Sequence, residues 1–478
     1  MSTPPVAAMA RTAGVRPETA RRPGFVLLVP AAVTLLMVVW GLRTPSYWRD
    51  EAATLDAEAR PVSALVRMLA HVDAVHGAYY LLVWPIVHVF GTGEVVLRLP
   101  SALAAAAAAA GIAALGRRLH SPRAGVLAGL VFAVLPQVSR YGQEGRPYAF
   151  ALLGAVLASY LLTRFAEGPG WRAGYGCAVA LLGLLNLFGL LLLAGHAIFV
   201  LARCRTLVRR WLAAALLGCL PAVPIAVLAW RQRDQLGWLT APDATAPGDF
   251  VVWLAGSTGS AVLASVLVGL GLRSRTSGTA TWLALPWLIV PPVLLLAAAK
   301  LAVPVYVPRY LAFCLPALAL PVGIALAGIA VAPRAIALLL IAGLGLPTQI
   351  AQRRENGHGD DIRTAATVIA THSRPGDGVL YHCPSCHYPN TPREFAYGYP
   401  DAFGPLDDLA LAQSPTASAT LRGIDTDAPT LTRRLGDANR LWLVEMGGTG
   451  APEPLAASGL RLAATYSAGD ITVALYGR

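Results

Sequence analysis

"HGAYYLLVWPIVHVF", residues His76 to Phe90, decides how this chain is threaded. The stretch is apolar but only 15 residues long, short of the ~20 that a helix needs to cross a bilayer. It also carries His76, Pro85 and His88. The charges on either side settle its place. If it lies on the membrane surface, the next helix runs from outside inward and ends at "GRRLHSPR", Gly116 to Arg123. The gaps "RFAEGPGWR", "RCRTLVRR", "RSRTSG" and "APR" then fall in the cytoplasm, and all are Arg-bearing. The gaps holding Asp50 and Glu51, Glu144, Asp234 and Asp243 fall outside. If it spanned instead, the most basic loops would move outside, against the cytoplasmic bias of positive charge. We therefore read 76–90 as a surface helix. The N-terminus is expected inside and the C-terminus outside.

Outward from this stretch, composition agrees. The chain has 478 residues, 56% hydrophobic and only 13% charged, where a soluble domain carries about a quarter. Its mean hydropathy is positive. An α-helical polytopic membrane protein is expected, with 11 spans near 24–42, 95–115, 122–139, 147–163, 174–188, 189–202, 211–230, 250–272, 280–299, 309–330 and 334–350. The run 174–202 is too long for one untilted helix and is divided at "NLFG", Asn186 to Gly189. Residues 1–23, with Arg11, Arg16, Arg21 and Arg22, read as a disordered cytoplasmic tail. The run from Gly24 resembles a signal peptide but lacks a clear small-residue cleavage site, so a retained first helix is expected. The membrane domain is placed at 24–350.

The formal net charge of +12 is not a nucleic-acid signal. The basic residues are Arg apart from Lys300, they sit in short gaps between apolar runs, and no basic patch interleaves with aromatics in a soluble module. No nucleic-acid partner is expected. Residues 351–478 contain no spanning run. "DIRTAATVIATHSRPGDGVLYH" predicts an amphipathic helix, a turn and a strand. "RLWLVEMGG" and "RLAATYSAGDITVALYGR" predict further strands. A small extracytoplasmic α/β domain follows. Cys177, Cys204, Cys219 and Cys314 lie in apolar runs and read as small hydrophobes. Cys383 and Cys386, in "HCPSCH" with His382 and His387, admit a local disulfide, a crowded zinc site or free thiols.

The chemistry-bearing residues sit at helix ends. Asp50 and Glu51 follow the first span, flanked by Tyr47 and Trp48, which read as interfacial anchors. A charge at that depth is costly unless paired or functional. Asp73 closes the same loop, just before His76 and Tyr80. The second outer loop, "SRYGQEGRPYAF", brings Arg140, Glu144, Arg146, Tyr141 and Tyr148. The fifth, "KLAVPVYVPRYLAF", brings Lys300, Tyr306, Arg309 and Tyr310. Acids from one loop and cations from two others are thus expected on one membrane face. Arg suits a lipid phosphate, which it binds bidentately, and a carboxylate beside such a site suits a general base. The bland alternatives are solvated loop acids and Arg side chains that snorkel from helix ends.

In order along the chain, "YWRDEAATLD", "FGTGEVVLRLPSALAA", "YGQEGRPYAFALL", "VPRYLAFCLPALAL" and "DIRTAATVIATHSRPGDGVLY" resemble the bacterial family-39-like glycosyltransferases, the protein-mannosyltransferase-related branch of the GT-C superfamily. The resemblance runs from Pro45 to about Tyr381. It implies a GT-C fold and a polyprenyl-phosphate sugar donor used on the outer face of the plasma membrane, with inversion in one displacement. Mannose is the leading sugar; a glycan, lipid or protein is the acceptor. It further implies Asp50 as the base, Glu51 as its partner, and Arg146, Arg309 and Lys300 against the donor phosphate. Asp73, His76, Tyr80, Tyr148 and Tyr310 would position the acceptor. Relatives often carry a "HPPLYY"-like element where this chain has "HGAYY", and losing two prolines is expected to loosen entry to the surface helix.

No cofactor is expected to be required. Were a divalent metal bound, Asp50, Glu51 and Asp73 could supply oxygen ligands. Two other function classes compete. A transporter or flippase of a polyprenyl-linked sugar predicts repeats and charges within the helices, and no repeat is visible. A scaffold working through 351–478 leaves the polar loops unexplained.

Overall fold

The computed structural model describes residues 23–273, 278–384, 386, 391–448 and 450–478. Apart from Pro23, the expected tail at 1–23 lies outside the described residues. Among the described residues, six helices are long and apolar enough to cross a bilayer: Glu94–Leu119, Tyr148–Glu167, Arg205–Arg231, Gly278–Leu301, Pro308–Ala327 and Val331–Ala351. Two bent pairs qualify together, Pro122–Val134 with Pro136–Gly142 at 69° and Ala246–Ala255 with Thr258–Arg273 at 88°. Shorter apolar helices cover Gly24–Val39, Ala74–Phe90 and Leu187–Arg203. Of the 11 expected spans, six are such long helices and two are the bent pairs, while 24–42 and 189–202 fall on shorter apolar helices.

The breaks have local causes. The run 250–272, expected as one span, is interrupted at Gly256, whose φ of +87° suits glycine. Leu135 is extended before Pro136, since the residue before proline avoids the helical region. The division at Asn186 is as expected: it ends one helix, and its side chain accepts the Gly189 N–H at 3.2 Å to start the next turn.

The chain forms two compact units. The first comprises residues up to Trp40, Arg98–Ala226 and Leu239–Ile350. Its helices approach closely through small residues, as membrane bundles do. A Cβ on Gly323 would collide with the backbone of Ala128, and one on Gly125 with the carbonyl of Ala113. A buried polar chain crosses the bundle: Trp211 Nε1 donates to the Tyr175 hydroxyl at 2.9 Å, Tyr175 lies 3.0 Å from His196 Nδ1, and His196 Nε2 lies 3.1 Å from Ser159 Oγ.

The second unit comprises Gly41–Leu97, Val227–Trp238 and Ala351–Arg478. The first loop supplies helices α1 (Arg49–Glu58), α2 (Val62–Leu69) and α3 (Gly77–Phe90). The C-terminal part supplies α4 (Ile362–His372), then β1 (Gly378–His382), β2 (Asp407–Asp408), β3 (Leu411–Gln413), β4 (Ile424–Asp425), β5 (Arg440–Met446), β6 (Arg461–Ala468) and β7 (Ile471–Gly477). The sheet order is β2-β1-β5-β7-β6, parallel across β1 and antiparallel beyond β5. The expected helix–turn–strand at 361–382 is present. Asp361 caps α4 through Thr364 N–H at 3.1 Å, and Ile362, Ala365, Ala366 and Ile369 form its buried face.

Candidate active site

Within the second unit, Asp50 and Glu51 occupy the first turn of α1. Glu51 is fully buried and Asp50 half-buried. Carboxylates suit a helix N-terminus, where unpaired N–H groups and the helix dipole favour negative charge. Thr54 Oγ1 donates to the Asp50 carbonyl at 3.1 Å. Arg49 is held by Asp360: the Asp360 carboxylate accepts from Arg49 N–H at 2.8 Å, Nε at 3.1 Å and Nη2 at 2.9 Å. Burial opposes the Arg49 charge, but the Asp360 hydrogen bonds and charge outweigh it, and its pKa lies above the usual arginine value.

Two expectations need correction. Tyr47 and Trp48 are not lipid-facing anchors; they are 1% and 7% exposed. The Tyr47 hydroxyl donates to the Thr92 carbonyl and its ring packs 5.5 Å from Tyr399. Nor is the entry to α3 loose. Asp73 adopts a left-handed φ of +58°, an uncommon conformation for a residue with a side chain. The Tyr80 hydroxyl donates to Asp73, and His76 Nε2 lies 3.6 Å from its other oxygen. Gln232 and Gln235 brace the turn through Ala74 N–H at 3.0 Å and Asp73 N–H at 3.4 Å, while Gln232 donates to the Leu69 carbonyl at 2.9 Å. The structure thus gathers Asp73, His76 and Tyr80 into one cluster.

Further down α1, Asp56 is clamped by Arg60, and Glu58 is buried with no hydrogen-bond partner among the described residues for either oxygen. Burial pushes the Glu58 carboxyl up to about 9.

Within the first unit, the second and fifth loops meet. The charges of Glu144, Arg140 and Arg309 all act on the Tyr141 hydroxyl. Arg140 pairs with Glu144 at 3.7 Å. Tyr141 packs 5.0 Å from Tyr148, and Tyr310 stacks on Phe188 at 5.0 Å. Arg146 is buried and Arg309 half-buried, 5.9 Å over the Tyr310 ring. Lys300 ends its helix exposed, its charge reaching Asp243. Beside the bent pair, a cavity of about 350 Å³ is lined by Phe250, Leu254, Ala264, Leu288 and Val293 and is almost wholly apolar.

Among the described residues, no group of three or more His, Cys, Asp or Glu side chains is placed to hold a metal. Cys383 and Cys386 form a disulfide; His387 of that motif lies outside the described residues. Asp360, Gln232 and Gln235 are the residues that sequence reading missed. Asp360 leaves a faint trace: two aspartates precede α4, and one suffices to cap it. The glutamines leave none.

The fold combines a bundle of long apolar helices, a sheet-bearing second unit and an acidic first-loop helix. Residues 78–230 match the family model described as dolichyl-phosphate-mannose-protein mannosyltransferase. The fold is similar to ArnT from Cupriavidus metallidurans bound to undecaprenyl phosphate, with a TM-score of 0.64 and 14% identity over 94% of this chain and 97% of that one. Its apo state gives 0.62, with 13% identity over 98% of each chain. The archaeal oligosaccharyltransferase AglB from Archaeoglobus fulgidus, in complex with an inhibitory peptide and a dolichol-phosphate, gives 0.50, with 10% identity over 88% of this chain and 69% of that one. No curated protein matches the sequence. The fold is of the GT-C type, and residues 78–230 are similar to the protein-mannosyltransferase family.

Proposed function

We propose that this protein transfers a sugar, mannose foremost, from a polyprenyl-phosphate donor to an acceptor hydroxyl on the outer face of the plasma membrane. Asp50 takes the acceptor proton. The acceptor oxygen attacks the anomeric carbon as the bond to the lipid phosphate oxygen breaks, with inversion, and the lipid phosphate leaves as an anion. Arg146 and Arg309, with Lys300 in a lesser role, stabilise that developing charge. Glu51 partners the base, and Asp73, His76, Tyr80, Tyr148 and Tyr310 orient the acceptor. No metal is needed for this chemistry.

The observation that carries the reading is Asp50 itself: a half-buried carboxylate in the first turn of α1, at a helix start pinned by Arg49 and Asp360. Further support comes from the mannosyltransferase family match, from the lipid phosphates bound by the two structural neighbours, and from the apolar cavity, whose lining suits a polyprenyl tail. The test is transfer of radiolabelled mannose from polyprenyl-phosphate mannose by purified protein, with a membrane extract as acceptor. Asp50→Asn should lose about 100-fold or more, the scale of a general base. Unchanged transfer by the variant would remove Asp50 from that role. Absence of transfer by wild type with any polyprenyl-phosphate sugar would favour a flippase.

A further inference from the structure

We infer that Asp360 is a positioning residue for the first-loop acid: its carboxylate fixes Arg49, and through Arg49 the direction of Asp50. The inference rests on the reading of Asp50 as base.

The N-terminal N–H groups of a helix have no partner within the helix, and a local Ser, Thr, Asp or Asn usually supplies one. At the start of α1 that position is Trp48, which makes no side-chain cap. Asp360, 311 residues away in sequence, accepts the Arg49 N–H at 2.8 Å instead. The same carboxylate takes the Arg49 guanidinium through two more bonds, at 3.1 and 2.9 Å. Backbone and side chain of one residue are thus held by one buried acid, itself 1% exposed. The next residue is Asp50. With Arg49 held in front and Thr54 bonded to the Asp50 carbonyl behind, the path of the Asp50 backbone is fixed on both sides.

The pairing also directs charge. An Arg beside a catalytic carboxylate would, if uncommitted, fold onto it bidentately and occupy the oxygens that must receive a proton. The Arg49 guanidinium makes its hydrogen bonds to Asp360, while the Asp50 charge also acts on it.

Asp360 is itself firmly carried. Asp361 caps α4, and the Arg363 N–H donates to Ser46 Oγ at 2.8 Å. The Arg363 guanidinium donates to the Thr44 carbonyl at 2.9 Å and pairs with Glu94 at 2.8 Å. The segment 360–363 therefore grips the first loop immediately before α1 and at its first residue.

The experiment measures kcat and donor KM with radiolabelled polyprenyl-phosphate mannose, on the full chain, for Asp50→Asn, Asp360→Asn, Asp360→Glu and the double variant Asp50→Asn/Asp360→Asn. Misplacing a reacting group by an ångström costs up to about 100-fold. Asp360→Asn should lower kcat about tenfold or more with donor KM unchanged, and Asp360→Glu should recover part of the loss. The double variant should be no worse than Asp50→Asn, because groups acting as a unit are non-additive; a merely structural role would instead multiply the losses, and that result overturns the inference. So does full kcat in Asp360→Asn while Asp50→Asn stays inactive. Full activity in Asp50→Asn overturns the base reading and this inference with it. If Asp360→Asn does not fold, Arg49→Gln retains the backbone bond and loses the guanidinium ones. It should lower kcat at constant donor KM, and full kcat in that variant overturns the inference.

Discussion

The Arg60 guanidinium reaches both carboxylate oxygens of Asp56, at 2.9 and 2.7 Å, with both side chains wholly buried. Arg60 also donates to the carbonyls of Pro415 at 3.1 Å and Thr420 at 2.7 Å, and its own carbonyl accepts from Trp84 Nε1 at 2.8 Å. One side chain therefore ties α1 to the β3–β4 region, while its backbone ties to α3. Removing one partner of such a pair strands the other charge in the core, at about 3–5 kcal/mol. Arg60→Met should lower the thermal midpoint steeply, and Asp56→Leu/Arg60→Met should be less harmful than Arg60→Met alone. A double variant as unstable as the single one would show that the bonds to Pro415 and Thr420, not the ion pair, dominate.

Glu58 should make stability fall with pH. Its folded pKa, about 9, lies above the unfolded value near 4.5, so between those limits the folded state holds a proton that the unfolded state has released. Stability is fully present below about pH 4.5 and declines toward pH 9, by up to about 1.4 kcal/mol per unit for one group. Glu58→Gln should flatten the dependence of melting temperature on pH over that window. Parallel curves for the two proteins would place the Glu58 carboxylate in a more polar setting.

Arg309→Lys keeps the charge but loses the planar fork that grips a phosphate. Donor KM should rise about tenfold, with thermal stability little changed because Arg309 is only half-buried. A variant with unaltered donor KM would return Arg309 to the role of a snorkelling helix-end residue.

Chelation tests the metal question directly. Treating purified protein with EDTA should leave transfer unaltered, and added magnesium or manganese should not raise it. A loss that either ion restores would assign a metal to the reaction.

His196 should matter for stability rather than chemistry. Tyr175 accepts from Trp211, and His196 bridges Tyr175 and Ser159 through its two ring nitrogens. His196→Leu breaks this chain, and interhelical bonds of the kind contribute about 0.6–2 kcal/mol. The melting temperature should drop while kcat of the remaining folded protein stays level; a selective loss of kcat would instead link this chain to turnover.

Much of this was legible from residues near one another in sequence. Apolar length predicted where helices lie, Asn186 marked a helix start, and the pattern of residues 361–382 predicted a helix, a turn and a strand. These follow from propensity, capping and periodicity, which act over a few residues. The acids of the first loop were legible too, because charge beside an apolar run is conspicuous. The bend at Gly256 was not, since a glycine within an apolar run is ordinary in membrane helices until the backbone takes φ > 0. Neither was the burial of Tyr47 and Trp48, because aromatics after a span look alike whether lipid or protein covers them.

The partners of the acidic loop were decided by tertiary structure alone. Asp360 reaches Arg49 across 311 residues, Gln232 reaches Ala74 across 158, and Arg60 reaches Thr420 across 360. No local pattern encodes such pairings. A buried polar group must find its hydrogen bonds wherever the fold delivers them, and only the folded chain brings residues 41–97, 227–238 and 351–478 into one unit.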